Sequence, residues 1–176
     1  TEQLEFAKQV KAMIREQAPD ILCCQEFSGY DPKLSRPACI EDFATQAGFQ
    51  YIYYNRNNGY GGNVIFSKYP LAKVSEDSGF GKENTYGVMV EVDAVEKGKF
   101  HLANVHLLSY MITDDEIDVL TNTTERPANL DTIGKTVLHK LSYAFQHRSE
   151  ELKTVLEGMP PVGGAILICG DFNEPP

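Results

Sequence analysis

No apolar run in the 176 residues approaches the ~20 needed to carry a helix across a bilayer, so no membrane-spanning segment is expected within the chain. Its first residues, TEQLEFAKQVK, have neither the basic start nor the apolar stretch of a secretory signal. Positive charge is also short, since 16 Lys and Arg against 25 Asp and Glu leave a net charge of −9. Such a chain repels a polyanion laid along a broad surface, which disfavours a general nucleic-acid coat. A small, metal-bridged contact with one phosphate stays open. Cysteine is sparse, with four residues and no pair at zinc-ligand spacing. Cys23 and Cys24 are adjacent in an apolar run and read as buried thiols, which leaves the redox compartment open. There is no internal repeat, low-complexity tract or dividing linker, so residues 1–176 read as one domain.

What is present, 42% hydrophobic and 23% charged residues, is ordinary for a globular domain with a substantial core. Leu4, Ala7, Val10 and Ile14 fall on one stripe at helical spacing, which predicts a helix over 4–17 that "APD" breaks before the strand ILCCQE. A short helix is expected over about 39–47, then the strand FQYIYY, a turn-rich loop NRNNGYGG and the strand NVIFS. YGVMVEVDA and KGKFHLANVHL, joined by VEKG, read as an antiparallel pair. Residues 112–131 are polar with weak periodicity, an exposed excursion with at most one irregular helical turn. A long helix is expected over about 132–157, with Leu141, Phe145, Leu152 and Val155 on its apolar stripe and Arg148 among them. That Arg is read as packing its stem and pairing its head with a carboxylate at the helix edge, in preference to a phosphate contact.

Three strands end in groups that carry chemistry. Alternation puts Leu22, Cys24 and Glu26 on one face of ILCCQE, with Glu26 emerging at the end of an otherwise buried side. Phe100, Leu102, Asn104 and His106 share a face, with His106 last. Leu167, Cys169, Asp171 and Asn173 share a face of AILICGDFN. Each has a bland reading: a carboxylate opening a loop, a rim histidine, a pair of Asx turn formers in NEPP. Together, at one rim, they make a site.

The ordered set PDILCCQE (Pro19–Glu26), GNVIFSKYP (Gly62–Pro70), NVHL (Asn104–Leu107) and GDFN (Gly170–Asn173) resembles the metal-dependent endonuclease/exonuclease/phosphatase superfamily. The likeness is closest to bacterial members that sometimes carry N-terminal membrane segments. It implies an α+β fold, a four-layer α/β/β/α sandwich of two mostly antiparallel sheets, incomplete in this chain. It also implies that Glu26 holds a hard divalent ion, Mg²⁺ first and Mn²⁺ second, acting as a Lewis acid on a phosphoryl group. Asp171 would then orient or deprotonate the attacking water, and Asn173 would hold Asp171 or a phosphate oxygen in line. His106 would donate a hydrogen bond to a non-bridging oxygen. Ser109, in an HxxS spacing, is a weaker substrate contact or a cap, and Asn63 closes a turn or points to the rim, the turn being preferred. Asn104 is balanced between fixing a loop and touching substrate. Tyr53, Tyr54, Tyr60 and Tyr69 are assigned no role.

The family pattern also has a metal-site Asn on a strand before the first helix and a Ser-Asp-His motif beyond GDFN. Neither occurs between Thr1 and Pro176, so a partial domain with weak metal binding and little hydrolysis of its own is expected. The implied partner is a phosphate-ester substrate, either nucleic acid or a small phosphoester, and fold does not choose among them. The rival reading is a noncatalytic binding module that kept the fold. Localisation is open between a bacterial cytoplasm and, with an N-terminal membrane segment, the cell envelope.

Overall fold

Helix α1 (Glu2–Gln17) leads into β1 (Ile21–Cys24), α2 (Arg36–Ala47), β2 (Tyr51–Tyr54) and β3 (Val64–Ser67). Then come β4 (Leu71–Lys73), β5 (Gly79–Phe80), β6 (Gly87–Asp93), a 3₁₀ turn at Val95–Lys97 and β7 (Lys99–His106). Helices α3 (Asp114–Thr121) and α4 (Leu130–Glu157) precede β8 (Ile166–Asp171). This computed structural model describes residues 2–55, 62–74, 79–80, 86–121, 130–159 and 164–174. Tyr60 lies outside them.

The strands form two sheets. One has the order β1-β3-β2, all antiparallel; the other runs β4-β6-β7-β8 with β5 also on β6. Among the described residues of the second sheet, β7 and β8 pair in parallel and the other pairs are antiparallel. Period-two alternation then sorts side chains into three apolar layers. Val64 and Phe66 of β3 point outward onto Ile14 of α1 and Ile40, Phe43 and Ala44 of α2. Ile65 points the other way and meets Val88, Val90 and Val92 of β6 and Leu102 of β7. Met89, Ala103 and Val105, on the far side of the second sheet, pack on Val155 of α4. The order is helices, sheet, sheet, helix, an α+β sandwich of the expected kind. Val64, Ile65 and Phe66 are all fully buried, and side chains of this size contribute roughly 2–3 kcal/mol each.

Polar residues pin the layers together. Asn104 is fully buried on the inward face of β7. Its amide donates to the carbonyls of Cys24 at 2.9 Å and Val64 at 3.1 Å, across the gap to the first sheet. Its oxygen accepts from Gln25 Nε2 at 2.6 Å. Of the two roles weighed for Asn104, the structure shows the fixing one.

Several local readings need correction. Helix α2 starts at Arg36 rather than near 39, because Ser35 caps it and Pro37 is tolerated in a first turn. The polar excursion contains a two-turn helix, α3, started by a capping box in which Thr113 and Glu116 bond reciprocally. Lys140 of α4 then grips Glu116 at 2.8 Å. Residues 122–129 of the excursion lie outside the described residues. The buried stripe of α4 is Val137, Ala144, Arg148, Glu151 and Val155, whereas Phe145 is 47% exposed. Phe145 instead lends its ring to Arg148, whose guanidinium lies 5.0 Å from the ring centre and 4.2 Å from that of Tyr110. Three cysteines are only half-buried; Cys39 alone of the four is fully buried.

Candidate active site

The expected face for Glu26 is also wrong, and the reason positions the site. Leu22 and Cys24 pack outward on the helix layer, so continued alternation would have sent Glu26 toward α2. The strand stops at Cys24 instead. Gln25 is held inward by Asn104, and Glu26 takes a left-handed backbone at φ 53°, uncommon for a residue with a Cβ. The chain is then anchored beyond it, where Phe27 N–H donates to Gly62 O at 3.1 Å and Arg36 Nε donates to Phe27 O at 2.7 Å. This turn aims the Glu26 carboxylate, 76% exposed, to within 3.9 Å of His106 Nε2.

His106 arrives by strict alternation. It is the last residue of β7, on the same inward face as Leu102 and Asn104, and its side chain is one quarter exposed. Asp171 is its register partner on β8. That pairing needs Gly170, whose φ of 147° and close approach to the Val105 backbone leave no room for a Cβ. The two strand ends stay laced together beyond the sheet: Leu107 N–H donates to Asp171 O at 2.9 Å, and Asn173 Nδ2 donates to Leu107 O at 2.7 Å. Asn173, itself left-handed at φ 52°, also sends its backbone N–H to Asp171 Oδ1 at 2.8 Å. Asn173 thus holds both Asp171 and the turn after His106.

Glu26, His106, Asp171 and Asn173 are therefore gathered at one rim. Ser109 is exposed and lines a depression of about 350 Å³ together with Glu26, His106, Tyr86, Met111 and Glu151. Asn63 is buried at 3% exposure, and its side-chain oxygen has no hydrogen-bond partner among the described residues. Gly62 before it is required, since a Cβ would meet Arg36 Nη2 at 2.8 Å as well as the Asn55 side chain. A larger groove, about 410 Å³, is a different one. It runs between α1 and β1, is lined by Phe6, Val10, Met13 and Leu22, and touches the rim only at Glu26.

Sequence reasoning missed the second support of the rim. Glu151, buried on α4, accepts the Leu108 N–H at 2.8 Å, and Arg148 donates to Leu108 O at 3.2 Å and to Glu174 at 3.0 Å. One helical turn thereby clamps the segment after His106 and the segment after Asn173 at once. The carboxylate partner read for Arg148 is Glu174. The available signal for Glu151 was its place three residues after Arg148 on the buried stripe.

Among the described residues no three His, Cys, Asp or Glu side chains converge as a metal cluster. A single exposed carboxylate, Glu26, fits a hard ion that keeps most of its water, as Mg²⁺ does. No helix of the described residues is long and apolar enough to cross a membrane.

Solved structures with the same fold include an AP endonuclease from Archaeoglobus fulgidus, at 17% identity and TM-score 0.54, covering 95% of this chain and 52% of that one. TDP2 of D. rerio, humanized by 14 mutations, has 14% identity and TM-score 0.56, covering 99% and 57%. ANGEL2, a 2',3'-cyclic phosphatase, has 19% identity and TM-score 0.51, covering 95% and 43%. The chain spans about half the length of these structures. Comparison with curated proteins gives no significant match. The sequence model of the Endonuclease/Exonuclease/phosphatase family matches residues 4–176, and the chain belongs to that family.

Proposed function

We propose that this domain serves hydrolysis of a phosphoester or phosphodiester bond by in-line attack of water, with Mg²⁺, or Mn²⁺ in its place, held by Glu26. The single observation that carries the reading is the convergence of strand ends, with Glu26 3.9 Å from His106 and Asp171 paired to His106 in register. Family membership and the phosphoester chemistry named for its relatives support the same reaction class. When bound, the ion supplies Lewis-acid polarisation of the phosphoryl group. The protein's own groups do the rest. Asp171 orients the attacking water and takes its proton. Asn173, bonded to Asp171 through its backbone N–H, keeps that carboxylate in line. His106 donates a hydrogen bond to a non-bridging oxygen as charge builds there. Ser109, which lines the depression beside Glu26 and His106, is a secondary contact for the substrate phosphate. Asn63 is a weaker candidate for substrate contact; its side chain is buried and its unpartnered oxygen only accepts, which favours closing the turn over meeting a phosphate.

The net charge of −9 favours a local contact at one phosphate over a long polyanion track. The chain's half-length coverage of its structural relatives makes weak activity of residues 1–176 alone part of the same proposal. Calorimetric Mg²⁺ titration of the protein at its natural length tests the metal assignment. Glu26→Gln is expected to weaken binding about tenfold or more, and unchanged binding in that variant would remove Glu26 as the ligand.

A further inference from the structure

Alternation along β1 sends its adjacent cysteines to opposite faces. Cys24 packs outward with Phe43 and Phe66 beneath the helices, and burial pushes its thiol up to about 11. Cys23 packs inward with Ile65, Val90 and Leu102, in the layer between the sheets. Cys169 of β8 reaches that same layer from the opposite sheet. There β1 and β8 approach one another across the gap, the two sulfurs lie close enough to perturb each other's titration, and Cys169 Sγ donates to the carbonyl of Ala103 at 3.5 Å. Both thiols are free and half-buried. The proposed hydrolysis uses neither.

We propose that Cys23 and Cys169 form a dithiol oxidation site, which hydrogen peroxide converts into a disulfide tying β1 to β8 across the sandwich. Disulfides between the two sheets of a sandwich are sterically feasible, because side chains of facing strands interdigitate across the gap. Cys169 reacts first. It sits on β8, at the edge of its sheet, where peroxide reaches it more readily than Cys23 on β1. Its sulfur attacks one peroxide oxygen, the O–O bond breaks, and the leaving hydroxide takes the thiol proton to become water. Cys169 is left as a sulfenic acid. The Cys23 sulfur then attacks the Cys169 sulfur; the S–S bond forms, the S–O bond breaks, and hydroxide leaves with the Cys23 proton as a second water. Two thiols and one peroxide give one disulfide and two waters, the sulfurs losing the two electrons that the peroxide gains.

The bond would lie three residues before Glu26 and two before Asp171, so it fixes the spacing of the strands that carry them. Nothing in this chemistry depends on phosphoester hydrolysis. The test is peroxide treatment of the folded protein, quenching with catalase, alkylation without reduction, and mass spectrometry of the digested peptides. A peptide pair linked through Cys169 is expected in the wild type and in Cys24→Ser, absent from Cys23→Ser, and absent when peroxide is added in denaturant. Cys39 is expected to remain alkylatable. Persistence of the link in a folded Cys23→Ser protein would overturn the assignment. So would conversion of Cys169 to sulfinic acid with no link in wild type and Cys24→Ser, both checked as folded by circular dichroism.

Discussion

His106 and Asp171 face each other as register partners at the ends of the parallel strands β7 and β8, and the lacing continues one residue further through Leu107 N–H and Asp171 O. This pairing brings an imidazole and a carboxylate from strands 65 positions apart to one rim. It depends on a glycine next door. Gly170→Ala would drive a Cβ into the Val105 backbone, so a loss of at least about 2 kcal/mol is expected in urea denaturation. Wild-type stability in that variant would show that β8 does not approach β7 as closely as described.

Asn104 is the polar link between the sheets, and its three bonds fix which atom must be where. Asn104→Ala leaves two carbonyls and the Gln25 amide without their partner, at a cost of about 3 kcal/mol. Asn104→Asp retains the acceptor for Gln25 but turns a carboxylate oxygen toward two carbonyls. It is expected to be at least as destabilising as Ala at pH 7 and to recover part of the loss in acid. An Asp variant as stable as wild type at neutral pH would refute the donor role of this amide.

Arg148 clamps two segments at once, so its loss should be felt at a distance from α4. Arg148→Met keeps an apolar stem but abandons the Leu108 carbonyl and Glu174. Hydrogen exchange is expected to quicken at Leu108 and around Asn173, and global stability to fall by about 2 kcal/mol. Exchange unchanged in both segments would mean that the clamp holds neither.

Acid stability should depend on the junction of α1 and α2. There the Tyr30 hydroxyl, with help from Gln46 and Lys11, holds the Asp42 carboxyl below its ordinary range. A depressed folded value means the stabilisation is present above the ordinary carboxylate range and is lost as pH falls through the folded value. The stability gap between wild type and Tyr30→Phe is therefore expected to narrow as pH drops from 7 toward acid. A gap constant over that titration would exclude the linkage.

The sandwich was legible because period-two alternation is strong in VIFS, GVMVEV and KFHLANVH, and because the four motifs occur in a fixed order. His106 and Asp171 were placed on their correct faces for the same reason: they are still in strand register. Glu26 was not, since it lies beyond the last paired residue of β1, where a left-handed turn overrides alternation. Helix α3 escaped notice because its capping box begins a helix that buries no residue fully, which leaves no apolar stripe to read. The buried stripe of α4 was misread by one position because its two charged members, Arg148 and Glu151, are satisfied by loops distant in sequence.

In the proposed reaction Asp171 activates water beside a Glu26-held ion. The most direct test of this is the rate of hydrolysis of a panel of phosphomonoesters and phosphodiesters by the protein at its natural length, with Mg²⁺ or EDTA, in wild type and Asp171→Asn. The amide keeps an acceptor for the Asn173 N–H, so the fold is retained while the base is removed. Hydrolysis of at least one ester is expected that EDTA abolishes, that Mg²⁺ restores, and that Asp171→Asn lowers at least about a hundredfold. Equal rates in the two proteins, or hydrolysis indifferent to EDTA, would contradict this mechanism.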